Sequence, residues 1–135
     1  MHIKSIGHSA YYCKDMEKAL NFYCNVLGLK KAFDFERDGK PWIEYLKVCD
    51  GQFIELFYIK DDAPPLVTTG TSYSHLCLEV FDIYAACDAI RKTGYPIDSE
   101  PKKGADNNLQ AWVTDPDGNR VELMQIVPDS MQAKA

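Results

Sequence analysis

The sequence predicts an α+β fold in which one unit, of the order β-α-β-β-β, is built twice. Two observations carry this. A shift of 67 residues lays His8 on His75 and Glu55 on Glu122 without a gap, and also Asp15 on Asp82, Ala19 on Ala86, Asp50-Gly51 on Asp117-Gly118 and Leu56 on Leu123. The coinciding residues include a helix start and a hairpin turn, as expected of a duplicated folding unit. In each half, moreover, one apolar stripe at helical spacing is followed by short apolar runs separated by turn residues.

The elements of the first module follow in order. Residues Ile3 to Tyr12 read as a strand, and Asp15 offers a side-chain oxygen to cap a helix. Met16, Ala19, Leu20, Tyr23 and Leu27 line one helical face, and Gly28 ends the helix because it accepts positive φ. Lys30 to Glu36, Trp42 to Cys49 and Gln52 to Ile59 read as strands, the last two joined by the hairpin signal Asp50-Gly51. This module is expected to span residues 3–59, and residues 60–72, with Pro64, Pro65 and small polar residues, read as a linker.

The second module is expected over residues 73–127. Tyr73 to Val80 reads as a strand, and Asp82 caps a helix carrying Ile83, Ala86, Cys87 and Ile90 on one face, which Gly94 ends. Pro96 to Glu100 reads as a short strand, residues 101–108 as a polar loop and Leu109 to Thr114 as a strand. The turn Asp115-Pro-Asp-Gly-Asn119 then leads into a strand from Arg120 to Val127. Residues 128–135 read as an unpacked tail.

Composition bounds the function. The chain has 135 residues, 46% hydrophobic and 26% charged, the size of one globular domain made of two small modules. A net charge of −5, with no run of Lys and Arg beyond two residues, argues against nucleic acid and against an anionic membrane surface as partners. The N-terminus Met-His-Ile-Lys-Ser turns polar at once and no run approaches the roughly 20 apolar residues of a membrane span, so the expected location is the cytoplasm. Five cysteines, Cys13, Cys24, Cys49, Cys77 and Cys87, lack the close paired spacing of a zinc knot or redox dithiol and fit a reducing compartment. Cys24 and Cys87 read as small apolar core residues, and Cys77 as core that could share a strand face with His75.

The candidate chemistry lies in four residues. Glu55 stands in Phe53-Ile54-Glu55-Leu56-Phe57 and Glu122 in Val121-Glu122-Leu123-Met124, where an unpartnered carboxylate is costly to bury. His8 and His75 fall within the first strands of the two modules, and a divalent cation would compensate both carboxylates while the imidazoles supply nitrogen donors. The blander alternative is two exposed or salt-bridged Glu and two hydrogen-bonded core His. Their relation by the duplication favours the metal reading.

These residues resemble the vicinal oxygen chelate superfamily and, within it, glyoxalase I (lactoylglutathione lyase). The resemblance rests on Gly7-His8-Ser9, on residues 15–23 running into Val26-Leu27-Gly28-Leu29, on Phe53-Ile54-Glu55-Leu56, on Ser74-His75-Leu76, and on Asp115-Pro-Asp-Gly-Asn119 leading to Val121-Glu122-Leu123. It covers residues 3–127. It implies two βαβββ modules whose curved mixed sheets surround a metal cleft, in many relatives assembled across a homodimer. It implies that His8, Glu55, His75 and Glu122 hold a divalent ion, Ni²⁺, Co²⁺, Zn²⁺ or Mn²⁺, since the related extradiol dioxygenases and fosfomycin-resistance enzymes use two His and one Glu. The implied reaction is proton transfer on a carbon beside a carbonyl through an enediolate, with Glu122 as base and Glu55 opposite it.

The implied substrate is a 2-oxoaldehyde hemithioacetal of a thiol. Glutathione-specific members carry an Arg four residues after the first His and an Asn four after the first Glu; here those places hold Tyr12 and Ile59. Lys102, Lys103 and Arg120 are candidate grips for an anionic substrate, with solvated loop charge the alternative for the lysines. Tyr12, Tyr45 and Trp112 read as core aromatics that could line the cleft. Glu44 is a candidate second acid or base, against a plain surface Glu. Two other functions remain open: an epimerase resembling methylmalonyl-CoA epimerase, and a non-enzymatic small-molecule binding protein on the same scaffold.

Overall fold

The computed structural model describes residues 2–67 and 72–135. The chain divides into two compact units, Met1–Leu66 and Val67–Ala135. Part of the segment read as a linker, residues 68–71, lies outside the described residues.

In the first unit, β1 (His8–Cys13) leads into α1 (Met16–Leu20), capped by Asp15, whose carboxylate accepts from the Lys18 N–H. The helix then widens into a π-helix over Asn21–Val26, with the Leu27 N–H donating to the Phe22 carbonyl five residues back. The sequence predicts plain α-helix here. With the wider winding, the consecutive aromatics Phe22 and Tyr23 are both fully buried, their rings edge-on at 4.9 Å. Gly28 ends the segment at φ 79°, as the sequence predicts.

Three antiparallel strands follow, β2 (Lys30–Arg37), β3 (Lys40–Cys49) and β4 (Gln52–Tyr58). The sheet order is β1-β4-β3-β2, with β1 parallel to β4. The β2–β3 hairpin turns on Asp38-Gly39, both at positive φ (54° and 72°), the pattern that suits the right-handed twist of a two-residue hairpin. The sequence analysis overlooks this second Asp-Gly pair. Leu46, Ile54 and Leu56 face the helix and are buried with Met16 and Ala19.

The second unit repeats the order: β5 (Leu76–Glu79), α2 (Ile83–Lys92), β6 (Ser99–Lys103), β7 (Leu109–Thr114) and β8 (Arg120–Gln125), with sheet order β5-β8-β7-β6 and β5 parallel to β8. Ile83, Cys87 and Ile90 of α2 are buried, as are Ala111, Val113, Val121 and Leu123 of the sheet. The chain thus has the α+β fold of two four-stranded mixed sheets that the sequence predicts.

Some boundaries differ. The opening strands are shorter than predicted, so residues 2–7 precede β1 in exposed, extended chain and His75 sits one residue ahead of β5. The strand expected at Pro96 to Glu100 forms instead at Ser99–Lys103. Its Pro101 lacks a donor, which is tolerated because β6 is an edge strand. The last residues are not a loose tail: Ser130 is fully buried and caps α3 (Met131–Lys134), and Gln132 accepts from Asn108 Nδ2 at 3.3 Å. Glu44 is not a surface residue. It is buried on the helix-facing side, accepts from the Tyr58 hydroxyl at 2.9 Å and lies 2.6 Å from Lys31 Nζ.

The Asp82 cap is testable, because its carboxylate accepts from both Tyr84 and Ala85 N–H groups. We expect Asp82→Ala to lower stability to urea by about 1 kcal/mol and Asp82→Asn by clearly less; equal loss in both would contradict the capping role.

Candidate metal centre

The βαβββ order brings the candidate ligands together within each unit. Since β1 runs parallel to β4, His8 lies beside Phe53 and Ala10 beside Glu55, so alternation puts the His8 and Glu55 side chains on one face. His8 Nδ1 is 3.3 Å from Glu55 Oε1. In the second unit β5 runs parallel to β8, Cys77 lies beside Glu122, and His75 Nε2 is 3.0 Å from Glu122 Oε2. Both carboxylates are withdrawn from solvent, Glu55 at 5% and Glu122 at 8% exposure. The structure therefore gathers the four residues as two His–Glu pairs, and among the described residues no group of three or more metal-type side chains forms.

The donor chemistry fits a divalent ion. Each pair offers one imidazole nitrogen and one carboxylate, a mixed set suited to Ni²⁺, Co²⁺, Mn²⁺ or Zn²⁺. His8 and Glu55 are the donors the first unit offers, and His75 and Glu122 those of the second.

The surroundings of the two glutamates differ. Tyr45 is paired with Glu55 across β3 and β4, so the two side chains share a face. The Glu55 carboxylate beside it, with burial second, raises the Tyr45 phenol above its ordinary value. Phe33 stacks on Tyr45 at 4.3 Å, while Phe35 and Phe53 meet it edge-on. At the place 67 residues later stands Trp112, paired with Glu122. Its indole N–H donates to Gln110 Oε1 at 2.8 Å and not to the glutamate, and its ring meets His75 edge-on at 4.8 Å.

Cys77 stands beside Glu122 and, unlike the core residue the sequence suggests, is exposed at its strand. Desolvation first, then the Glu122 charge, pushes the Cys77 thiol up to about 12. The sequence analysis places Tyr45 and Trp112 as possible cleft residues without a role. The 67-residue shift itself would have signalled more, since it superposes Tyr45 on Trp112. Of the other candidates, Tyr12 is exposed and packs against Phe57 at 5.5 Å, and Lys102 and Lys103 are exposed on β6. Arg120 lies over the Trp112 ring, 4.1 Å from its centre.

Comparison with known proteins places these features in a family. The profile of the Glyoxalase/Bleomycin resistance protein/Dioxygenase superfamily matches residues 5–123. A probable lactoylglutathione lyase of Synechocystis sp. is 33% identical over 125 residues, covering 87% of this chain and 92% of that protein. The lactoylglutathione lyase of Haemophilus influenzae is 32% identical over 126 residues, covering 89% of this chain and 91% of its own. Among solved structures, the antibiotic binding protein TnmS3 from Streptomyces sp. CB03234 superposes with a TM-score of 0.73 at 25% identity, covering 94% of this chain and 99% of that one. No helix among the described residues is long and apolar enough to cross a membrane.

The raised Cys77 thiol has a chemical consequence, because the thiolate is the nucleophile. In chelator-stripped protein, alkylation of Cys77 by iodoacetamide, followed by peptide mass spectrometry, should keep accelerating to at least pH 10. A rate that levels off below pH 9 would contradict the environment described.

Proposed function

We propose that this chain, which belongs to the Glyoxalase/Bleomycin resistance protein/Dioxygenase superfamily, is a metal-dependent lyase of the glyoxalase I type. The observation that carries the reading is the duplicated pair: a buried carboxylate with an imidazole 3.0 to 3.3 Å away, once per unit. The lactoylglutathione lyase names of relatives at about one-third identity support it. His8, Glu55, His75 and Glu122 together hold one divalent ion in a homodimer-forming protein. A divalent ion held by these residues would supply Lewis acidity for stabilising the negative charge that develops as the proton leaves.

The chain's own residues then move the proton. A carboxylate takes it from the carbon beside the carbonyl and returns it to the neighbouring carbon, converting a 2-oxoaldehyde hemithioacetal to a 2-hydroxy thioester. Glu122 is the base. Glu55 is backed by the Tyr45 phenol and stays in place, whereas the Trp112 indole paired with Glu122 donates to Gln110 and leaves that carboxylate freer to move. Tyr12 and Ile59 provide neither the cation nor the amide of glutathione-specific relatives, so the thiol carrier is gripped by other groups.

Protein stripped with chelator should lose thioester formation from methylglyoxal and glutathione, and reloading with Ni²⁺ or Co²⁺ should restore it. No turnover from protein shown to carry the ion would reject this substrate and favour an epimerase, which solvent deuterium entering the carbon beside the carbonyl would reveal. Tyr45→Phe should weaken metal binding by about tenfold or more, in chelator competition, because the second layer orients the ligand. Trp112→Phe should not; equal losses would contradict the asymmetry.

A further inference from the structure

Arg120, the first residue of β8, is two residues from Glu122 and so on the same sheet face. Its guanidinium carbon lies over Trp112, 4.1 Å from the ring centre, and the same indole meets His75 at 4.8 Å and pairs with Glu122. One tryptophan thus ties a cation to the second His–Glu pair. The contrast within the unit is with Arg91, which is neutralised by Asp88 and Glu100. Among the described residues no carboxylate pairs with Arg120, in a chain of net charge −5. An arginine held by an aromatic ring keeps its planar fork free for an incoming anion, and that fork matches a carboxylate with two parallel hydrogen bonds.

We propose that Arg120, steadied on Trp112, seats a carboxylate of the substrate beside the His75–Glu122 pair, so that the substrate is a carboxylate-bearing thiol adduct. This rests on the lyase reading above. It gives the thiol carrier a cation although the place of the usual arginine holds Tyr12. Arg120 acts on binding, leaving proton transfer to Glu122.

The test is calorimetric titration of Co²⁺-loaded protein with S-methylglutathione and with its diethyl ester, which masks both carboxylates and keeps the ammonium. The wild type should bind the acid about tenfold tighter than the ester, the effect of one charge-assisted contact. Arg120→Gln should erase that preference, and Arg120→Lys should keep part of it, having the charge without the fork. Equal binding of acid and ester by the wild type, binding of neither, or a preference that survives in Arg120→Gln would overturn the proposal. Thioester formation from methylglyoxal and glutathione is read separately: turnover without the preference removes the Arg120 seat and leaves the lyase reading standing, and the preference without turnover does the reverse.

Discussion

Burying a carboxylate in the face of a sheet is costly unless another group takes up its charge, and each unit does so once, at Glu55 and at Glu122. An imidazole beside each, at 3.3 Å and 3.0 Å, offsets part of that cost. The rest of each unit is arranged around this constraint: aromatic side chains wall the pairs, and the apolar faces of the sheets are reserved for the helices.

What makes the pairs possible is the parallel contact of the first and last strands of each module. A β-α-β-β-β chain whose last strand returns beside its first brings residues 47 positions apart onto one face, each His two places before the residue paired with its Glu, Ala10 for Glu55 and Cys77 for Glu122. The helix between them supplies the crossover that a parallel pair requires. Capping by Asp15 and Asp82 and termination at Gly28 and Gly94 set the length of that crossover, and through it the register. The two units share this geometry and differ in its neighbours: Tyr45 stands beside Glu55, and Trp112 lies between His75 and Arg120.

The fold was largely legible in the sequence because its signals are local: the caps, the glycines of positive φ, and the apolar stripe of α2. The elements that shifted are those decided by tertiary packing. Ser99–Lys103 pairs as an edge strand despite Pro101, and Phe22 with Tyr23 draws the first helix into a π winding that no periodicity announces. The four candidate ligands were legible through the repeat. Their partners were not, since a phenol or an indole on a strand looks the same in sequence whether it fills a core or touches a carboxylate. Glu44 shows the converse: a lone acid in an amphipathic strand reads as surface, yet Tyr58 and Lys31 partner it in the interior.

The proposed metal chemistry requires both His8 and His75 as ligands. Titration of metal-free protein with Co²⁺ tests this most directly, with His8→Ala and His75→Ala measured beside the wild type. One ion per chain for the wild type, and loss of stoichiometric binding in both variants, is the result expected. A full equivalent retained by either variant would show that the pairs do not share a metal and would remove the basis of the proposed chemistry.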